Sequence, residues 1–507
     1  MKTFKRIAAC TLAAAMVAGL TACVDEGQPN VPNSGEVPGV NNTTTTQAST
    51  TTDPDLNADT DKDIKEVGTD TYTPSGNAGT VKFLNFYKIE EDQKGVEQSL
   101  IFKGEQYGGD IEYISCASGD AYLEKLSQLI SSDESPDLVT KDVFLYPGSV
   151  SKGLFEALDD YIDKDSALWS GMSDVIDSYT YKGKHYYYPH RITTSFALNY
   201  SKKTIEENGL PDPYELYKNG EWTWDAWRQM MLDFVDKADG NVGYYTTDTI
   251  LTSLIATTGT TLIDTKNDGT ILNNINDANV TRAMNFYEQL YRDGLSYGSK
   301  YEKAWGDWVS PQTFADHCDQ LLFLGMEPEW TYTAATEQVQ NKQGVDNDIF
   351  DTVSDFAFVP YPRDTEADAY YQAYDTYGFL VPKGAKNLAG AVEFINCFRV
   401  YDTDEAISAQ VREDHVNPAP ITYQAGKYEG KRKWVIKWGE QEYDMWREMC
   451  DPTKFNFVTE DAFGFNSDFW TSYAEVLVDV ALNGESWAQK SAEFAPIVEA
   501  TVDQYRF

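Results

Sequence analysis

The sequence predicts an α/β protein built as two lobes, and three observations carry that expectation. About 430 residues, Thr80 to Phe507, follow a leader and a polar tether; that is more than one ordinary core supports, so they divide. The first of them read as strand, helix, strand, the βαβ unit of a parallel sheet. From Tyr200 onward the pattern turns more helical and closes on a pair of helices.

The leader fixes the expected compartment. MKTFKR carries Lys2, Lys5 and Arg6, and IAACTLAAAMVAGL follows as an apolar run of about 14 residues, the length of a signal-peptide core and short for a bilayer span. It ends in Leu20-Thr21-Ala22-Cys23. Small residues before a cysteine at this place resemble a bacterial lipobox, which implies cleavage before Cys23 and acylation of its thiol. Residues 23–78 are Thr, Asn, Asp, Pro and Gly with almost no large apolar side chain. Such a chain cannot offset its conformational entropy and is expected to be a disordered tether, with a reach on the order of 40 Å. Within it, Asp59-Thr60-Asp61-Lys62-Asp63 looks like a calcium loop, but Ile64 stands where the turn needs glycine.

The formal charge is −40, from 81 acidic and 41 basic residues. Nucleic acid or anionic lipid is excluded as a partner, since either needs a basic face. An acidic surface with 33 tyrosines suits an extracellular protein that handles neutral polyhydroxy ligands. Cys116, Cys318, Cys397 and Cys450 are scattered with no C-x-x-C spacing, so no metal site is expected and no disulfide can be assigned. Cys397, in AVEFINCF, reads as a buried thiol.

TVKFLNFY (80–87) alternates as an opening strand, with Val81, Phe83 and Asn85 on one side. DIEYISCA is a second strand. DAYLEKLSQLISS follows as a helix, with Leu123, Leu126 and Ile130 on one face. SPDLVTKDV turns through Pro136 into a third strand. HYYYPHRITTSFALNYSKK reads as two extended pieces broken at Pro189. TKNDGTIL carries Asn267-Asp268-Gly269, a hairpin turn; Lys266 excludes calcium there. ITYQAGKYEGKRKW reads as a loop, and the last two helices meet at Asn483-Gly484.

GEWTWDAWRQMM holds Trp222, Trp224 and Trp227. Thr223 is a good N-cap, Asp225 suits the first turn, and Trp222 and Trp227 occupy the N′ and N4 positions of a hydrophobic staple. Trp224, Trp227, Met231 and Phe234 continue as a helix stripe. All three tryptophans therefore have structural work, and a ligand platform must lie elsewhere.

Several stretches, in order, resemble the extracellular solute-binding proteins of the maltose-binding type, the receptors of bacterial sugar-import ABC transporters. SPDLVTKD is similar to that family's strand entering the cleft, and GLFEALDDYI to its G-L-x-x-L-D helix. YYYPHRITTSFALNYSKK is similar to its strand pair, although the order here is Asn199-Tyr200-Ser201. NGEWTWDAW resembles its Trp-Thr-Trp helix start, GTTLIDTKNDGTI its hairpin, LFLGMEPEW its strand–helix stretch, and VPKGAKNLAGAVEFINCF its K-G-A-K-N helix. The resemblance implies a two-lobed periplasmic-binding-protein-like fold of type II, each lobe a mainly parallel sheet flanked by helices, with hinge crossovers. Lobe one would be 79–192 plus 368–405, lobe two 193–367 plus 406–507. Binding would close the hinge and present the protein to a permease. The expected protein is a lipid-anchored monomer on the outer face of the cytoplasmic membrane that binds a carbohydrate, with no cofactor.

A sugar cleft needs aromatic faces for C–H patches and fixed polar groups for hydroxyls. Family position and chemistry together point to Lys141 and Asp142 after the SPDLV strand; Arg191, Thr193 and Thr194 at the hinge; and Glu329 and Trp330, where a tryptophan stacks on ligand. Asp375 and Tyr377 sit where the chain returns to lobe one, with Tyr374 facing away; Tyr87 ends the first strand, and Trp305 and Trp308 lie in KAWGDWVS. No catalytic constellation appears: the four histidines form no H-E-x-x-H, and no G-x-S-x-G or phosphate loop is present. Two alternatives stay open. A lipid-anchored glycoside hydrolase needs a carboxylate pair across the cleft, and a ligand sensor needs a membrane kinase.

Overall fold

The computed structural model describes residues 67–506, apart from 69, 90–94, 142–144, 194–195, 299–304, 307, 344–353, 419–420, 423–431, 434–435 and 460–466. The leader with Cys23, and also Asp142 and Thr194, lie outside the described residues. Contacts divide the chain into residues 64–419 with 436–507, and 1–63 with 420–435.

The larger unit opens with β1 (Gly79–Asn85), β2 (Gly109–Ser115) and β3 (Leu138–Thr140). Helix Val96–Lys103 joins β1 to β2, and helix Asp120–Ser131 joins β2 to β3. Both β2 and β3 pair with β1 in parallel, as the βαβ pattern requires. The second helix buries Tyr122 and Leu126, so its inward face is turned slightly from the Leu123–Ile130 stripe.

The short hairpin β4 (Thr180–Tyr181) and β5 (Lys184–His185) precedes β6 (Tyr187–Thr193), and three residues later β7 (Ala197–Ser201) begins in a different sheet. The extended run is therefore not broken at Pro189, which lies inside β6. It is tolerated because β6 is an edge strand with a bulge opposite, at Tyr377/Gly378. The real break is the passage from one sheet to the other.

The second sheet is completed by β8 (Val242–Thr246), then, beyond the hairpin of β9 (Ile263–Thr265) and β10 (Ile271–Asn273), by β11 (Leu321–Met326) and β12 (Phe356–Val359), in the order β12-β7-β11-β8. After β13 (Tyr371–Ala373), β14 (Asp375–Leu380) returns to the first sheet, in the order β2-β1-β3-β14-β6. β14 runs antiparallel to both neighbours, and β7 antiparallel to β11 and β12. The sheets are thus mixed: parallel where helices intervene, antiparallel where the chain crosses and returns.

In the smaller unit the described residues form only the antiparallel pair β15 (Ile421–Thr422) and β16 (Arg432–Lys433), inside the stretch expected as a loop. β17 (Asn456–Val458) pairs with β13. Helices Ser467–Ala481 and Trp487–Asp503 close the chain around Gly484, whose φ of 75° favours glycine.

Each sheet has its own apolar core. One gathers Val81, Phe83, Leu138, Phe379, Phe394 and Phe398; the other gathers Leu198, Trp222, Trp227, Tyr244, Phe323 and Val498. The tryptophan helix, Trp224–Val235, begins as its sequence dictates. Thr223 Oγ1 accepts from the Ala226 N–H at 3.2 Å, and Trp222, Trp224 and Trp227 are buried. Two readings need correction. GLFEALDDYI is not a helix: Phe155 bridges Pro382, and Glu156 N donates to Val381 O at 2.8 Å. Its buried Phe155, Leu158 and Ile162 imitate helical spacing in a turn-rich strap. Residues 67–78, expected in the tether, are held to the body: Tyr72 OH donates to Glu393 Oε2 at 2.8 Å, and Ala78 N to Tyr107 O at 2.9 Å. Polar composition hid those anchors because they are a few hydrogen bonds and the isolated side chains of Val67, Tyr72 and Ala78, which pack on the core.

Candidate functional site

The carboxyl ends of β1 and β3 and the paired strands β6 and β14 converge beside the passage to the second sheet. There Tyr87, Ile89, Thr140, His190, Arg191, Tyr377, Gly378, Phe379 and Phe398 line a small pocket of about 30 Å³. Cross-strand register places Asp375 opposite Thr193 and Tyr377 opposite Arg191.

The Arg191 guanidinium carbon lies 4.7 Å from the centroid of the Tyr377 ring. Burial works against its charge; Asp402, Tyr377, Glu329 and Cys450, in that order, more than offset this and raise its pKa. Its Nε is buried with no hydrogen-bond partner among the described residues, and so is Thr140 Oγ1. Such groups cost free energy unless something pairs with them.

Lys141 follows β3 directly. Its Nζ is 3.0 Å from Asp375 Oδ1, donates to Tyr179 OH at 3.3 Å, and lies 5.2 Å from the Tyr179 ring. Burial opposes the ammonium, yet Asp375 outweighs it and the pKa rises. Tyr374 faces inward, its hydroxyl 2.6 Å from Ser178 Oγ, while Asp375 is exposed.

Asn199 Nδ2 donates to Leu324 O at 3.1 Å and to Met326 O at 3.0 Å. These bonds fix the end of β11, from which helix Pro328–Gln343 presents Glu329 and Trp330 in its first turn. Trp308, 44% exposed, stacks on Trp330 with ring centroids 6.1 Å apart at 20°. The pair forms a solvent-facing aromatic platform beside Glu329. Trp305 is different: its ring stacks on both Tyr297 and His317, at 5.1 and 4.8 Å, and its surface is taken up by them.

The structure thus brings together Tyr87, Lys141, Arg191, Thr193, Asp375 and Tyr377, and Glu329 is near enough to act on Arg191. Trp308 and Trp330 form their own stack, next in sequence to Glu329, and Trp305 belongs to a separate stack. Sequence reasoning did not name Thr140 or His190 as site residues, nor the buried Asn85 at the end of β1. Asn85 is 2% exposed, and neither amide atom has a hydrogen-bond partner among the described residues; an asparagine on an otherwise apolar strand face was the available signal. Among the described residues no three His, Cys, Asp or Glu side chains are grouped to hold a metal, and no helix is long and apolar enough to cross a membrane.

Residues 101–411 match the family of bacterial extracellular solute-binding proteins. The chain belongs to that family. Comparison with curated proteins yields no match. Solved structures share the fold of this solute-binding protein. A sugar transporter protein from Rhizobium etli in an open conformation is 16% identical, with 83% of this chain and 99% of that one covered and a TM-score of 0.59. The GacH receptor of Streptomyces glaucescens, solved unliganded and with acarbose, is 16% identical, with 84% and 99% covered and a TM-score of 0.56. An ABC substrate-binding protein of Listeria monocytogenes in complex with cycloalternan is 14% identical, with 84% and 100% covered and a TM-score of 0.53. These proteins share their α/β fold with this chain.

Proposed function

We propose that this solute-binding protein captures a neutral carbohydrate, an oligosaccharide by the extent of its aromatic surface, between the two lobes and delivers it unchanged to an ABC transporter permease. The observation that carries the reading is the Arg191–Tyr377 pair. It presents a buried, unpartnered donor and an aromatic ring to one cavity, beside the unpartnered Thr140 hydroxyl. Lys141, Arg191 and Arg399 are met by Asp375, Glu329 and Asp402. With these charges balanced, unpaired donors and acceptors favour hydroxyls over an ion. The Trp308–Trp330 platform extends the sugar-facing surface to more than one ring. Acarbose and cycloalternan in the related receptors support the ligand class. Cys23 anchors the protein through lipid to the outer face of the cytoplasmic membrane, where it acts as a monomer.

A thermal-shift screen of the leaderless protein against neutral mono- and oligosaccharides tests this, because a ligand that binds only the folded form raises Tm. A rise with a neutral oligosaccharide, recovered intact after long incubation, is expected. A hydrolysed product would establish the enzyme alternative instead. Deleting neighbouring permease genes should abolish uptake.

A further inference from the structure

A second cavity, of about 260 Å³, is lined by Tyr217, Lys218, Gly220, Trp222, Arg363, Tyr370, Glu448 and Lys454, and shares no residue with the first. It draws on the turn after helix Pro213–Lys218, the segment between β12 and β13, and the loop after helix Glu440–Met449. Its charge contrasts with the rest of the chain. In a protein of formal charge −40, three of its lining residues are cations and one is a carboxylate. That carboxylate is already engaged: Glu448 Oε1 accepts from Tyr217 OH at 3.0 Å, and Glu448 Oε2 lies 3.5 Å from Lys218 Nζ. The side chains of Arg363 and Lys454 have no hydrogen-bond or ion-pair partner among the described residues.

The carboxylates next to them along the chain are also committed. Asp364 pairs with Arg282, Asp368 accepts from Tyr371 OH at 2.8 Å, and Asp451 accepts from the Thr453 N–H and hydroxyl at 2.8 and 2.7 Å. Ring surface is present as well: Tyr217, Trp222 and Tyr370 line the space, and Tyr217 is stacked at 25° on Phe455. Gly220, at φ 73°, leaves the space beside its Cα open.

We infer that this cavity binds a sugar ring carrying a phosphate or carboxylate group, with Arg363 and Lys454 taking the anion and the aromatic wall taking the ring. A guanidinium fork matches both anions, and ring–aromatic contact gives selectivity over a bare ion. The inference is independent of the neutral ligand proposed for the other cavity.

Calorimetry on the leaderless protein with glucose 6-phosphate, glucuronate, glucose and inorganic phosphate tests it. At least one sugar anion is expected to bind, and which one distinguishes phosphate from carboxylate recognition; glucose and inorganic phosphate should bind at least tenfold more weakly. Arg363→Gln/Lys454→Gln should weaken binding at least tenfold, and Lys454→Glu alone should also weaken it. Both residues are exposed, so Tm should hold in these variants. Arg191→Gln, in the other cavity, should leave this binding unchanged. The inference is overturned if neither sugar anion binds, if glucose or phosphate binds as well, or if the Arg363/Lys454 variants bind normally.

Discussion

The guanidinium of Arg191 sits 4.7 Å from the Tyr377 ring centroid, on strands that pair residue to residue across β6 and β14. The contact holds a charge where the chain passes between sheets, and Nε has no hydrogen-bond partner among the described residues. Arg191→Ala should weaken carbohydrate binding by about 2 kcal/mol, roughly thirtyfold. Arg191→Lys should recover only part of this, because an ammonium keeps the charge but loses the planar fork. Titration calorimetry on each variant, with apo Tm as the folding control, checks it; unchanged affinity in the alanine variant removes Arg191 from the site.

Trp330 and Trp222 should separate binding from folding. Trp330 lies under the exposed Trp308, and Trp330→Ala should cost about 2 kcal/mol or more of ligand affinity. Trp222 is 1% exposed and donates from Nε1 to Pro360 O at 2.8 Å. Trp222→Ala should cost roughly 3–5 kcal/mol of stability, read by denaturant unfolding. Because Trp222 also lines the second cavity, only its stability effect discriminates here.

The His190 ring gives a pH signature. Burial lowers its pKa, against the opposing pull of Asp402, whose carboxylate meets Nδ1. The unfolded chain takes up this proton near pH 6.5, about the value of a free histidine, before the folded chain does. His190 therefore contributes stability that is fully present above about pH 6.5 and declines as pH falls towards its folded pKa. His190→Gln should flatten the fall of Tm as pH drops below about 6.5. The lowered carboxylates Asp159 and Asp316 act at lower pH, below about 4. An unchanged slope in the variant would refute the assignment.

Among the described residues, Cys116, Cys318, Cys397 and Cys450 form no disulfide. Reductant should therefore leave Tm unchanged. Burial raises the pKa of Cys397, and raises that of Cys318 to about 11, so neither thiol should label readily at pH 8 in the native protein. Mass spectrometry of alkylated peptides reads this directly, and rapid native labelling of Cys397 would contradict its burial.

Much of the scaffold was legible because its signals are local. The β1–β2–β3 unit, the Thr223 cap, the Asn267–Gly269 turn and the helix pair at Asn483-Gly484 each follow from residues within a few positions of one another. The strap at GLFEALDDYI misled because Phe155, Leu158 and Ile162 meet the core at helical intervals without a helix. Pro189 misled because its place on an edge strand depends on what lies beside β6.

By itself, the sequence determined most of the strands and helices, and which tryptophans serve a helix start, since backbone propensity and side-chain periodicity act over one or two turns. Only the tertiary structure decided that Arg191 meets Tyr377 and Lys141 meets Asp375, residues far apart in the chain. It also decided that Trp308 offers its face to Trp330 while Trp305 is spent between Tyr297 and His317. Pairing and burial are set by which distant strands the fold brings side by side, and no local pattern encodes that choice.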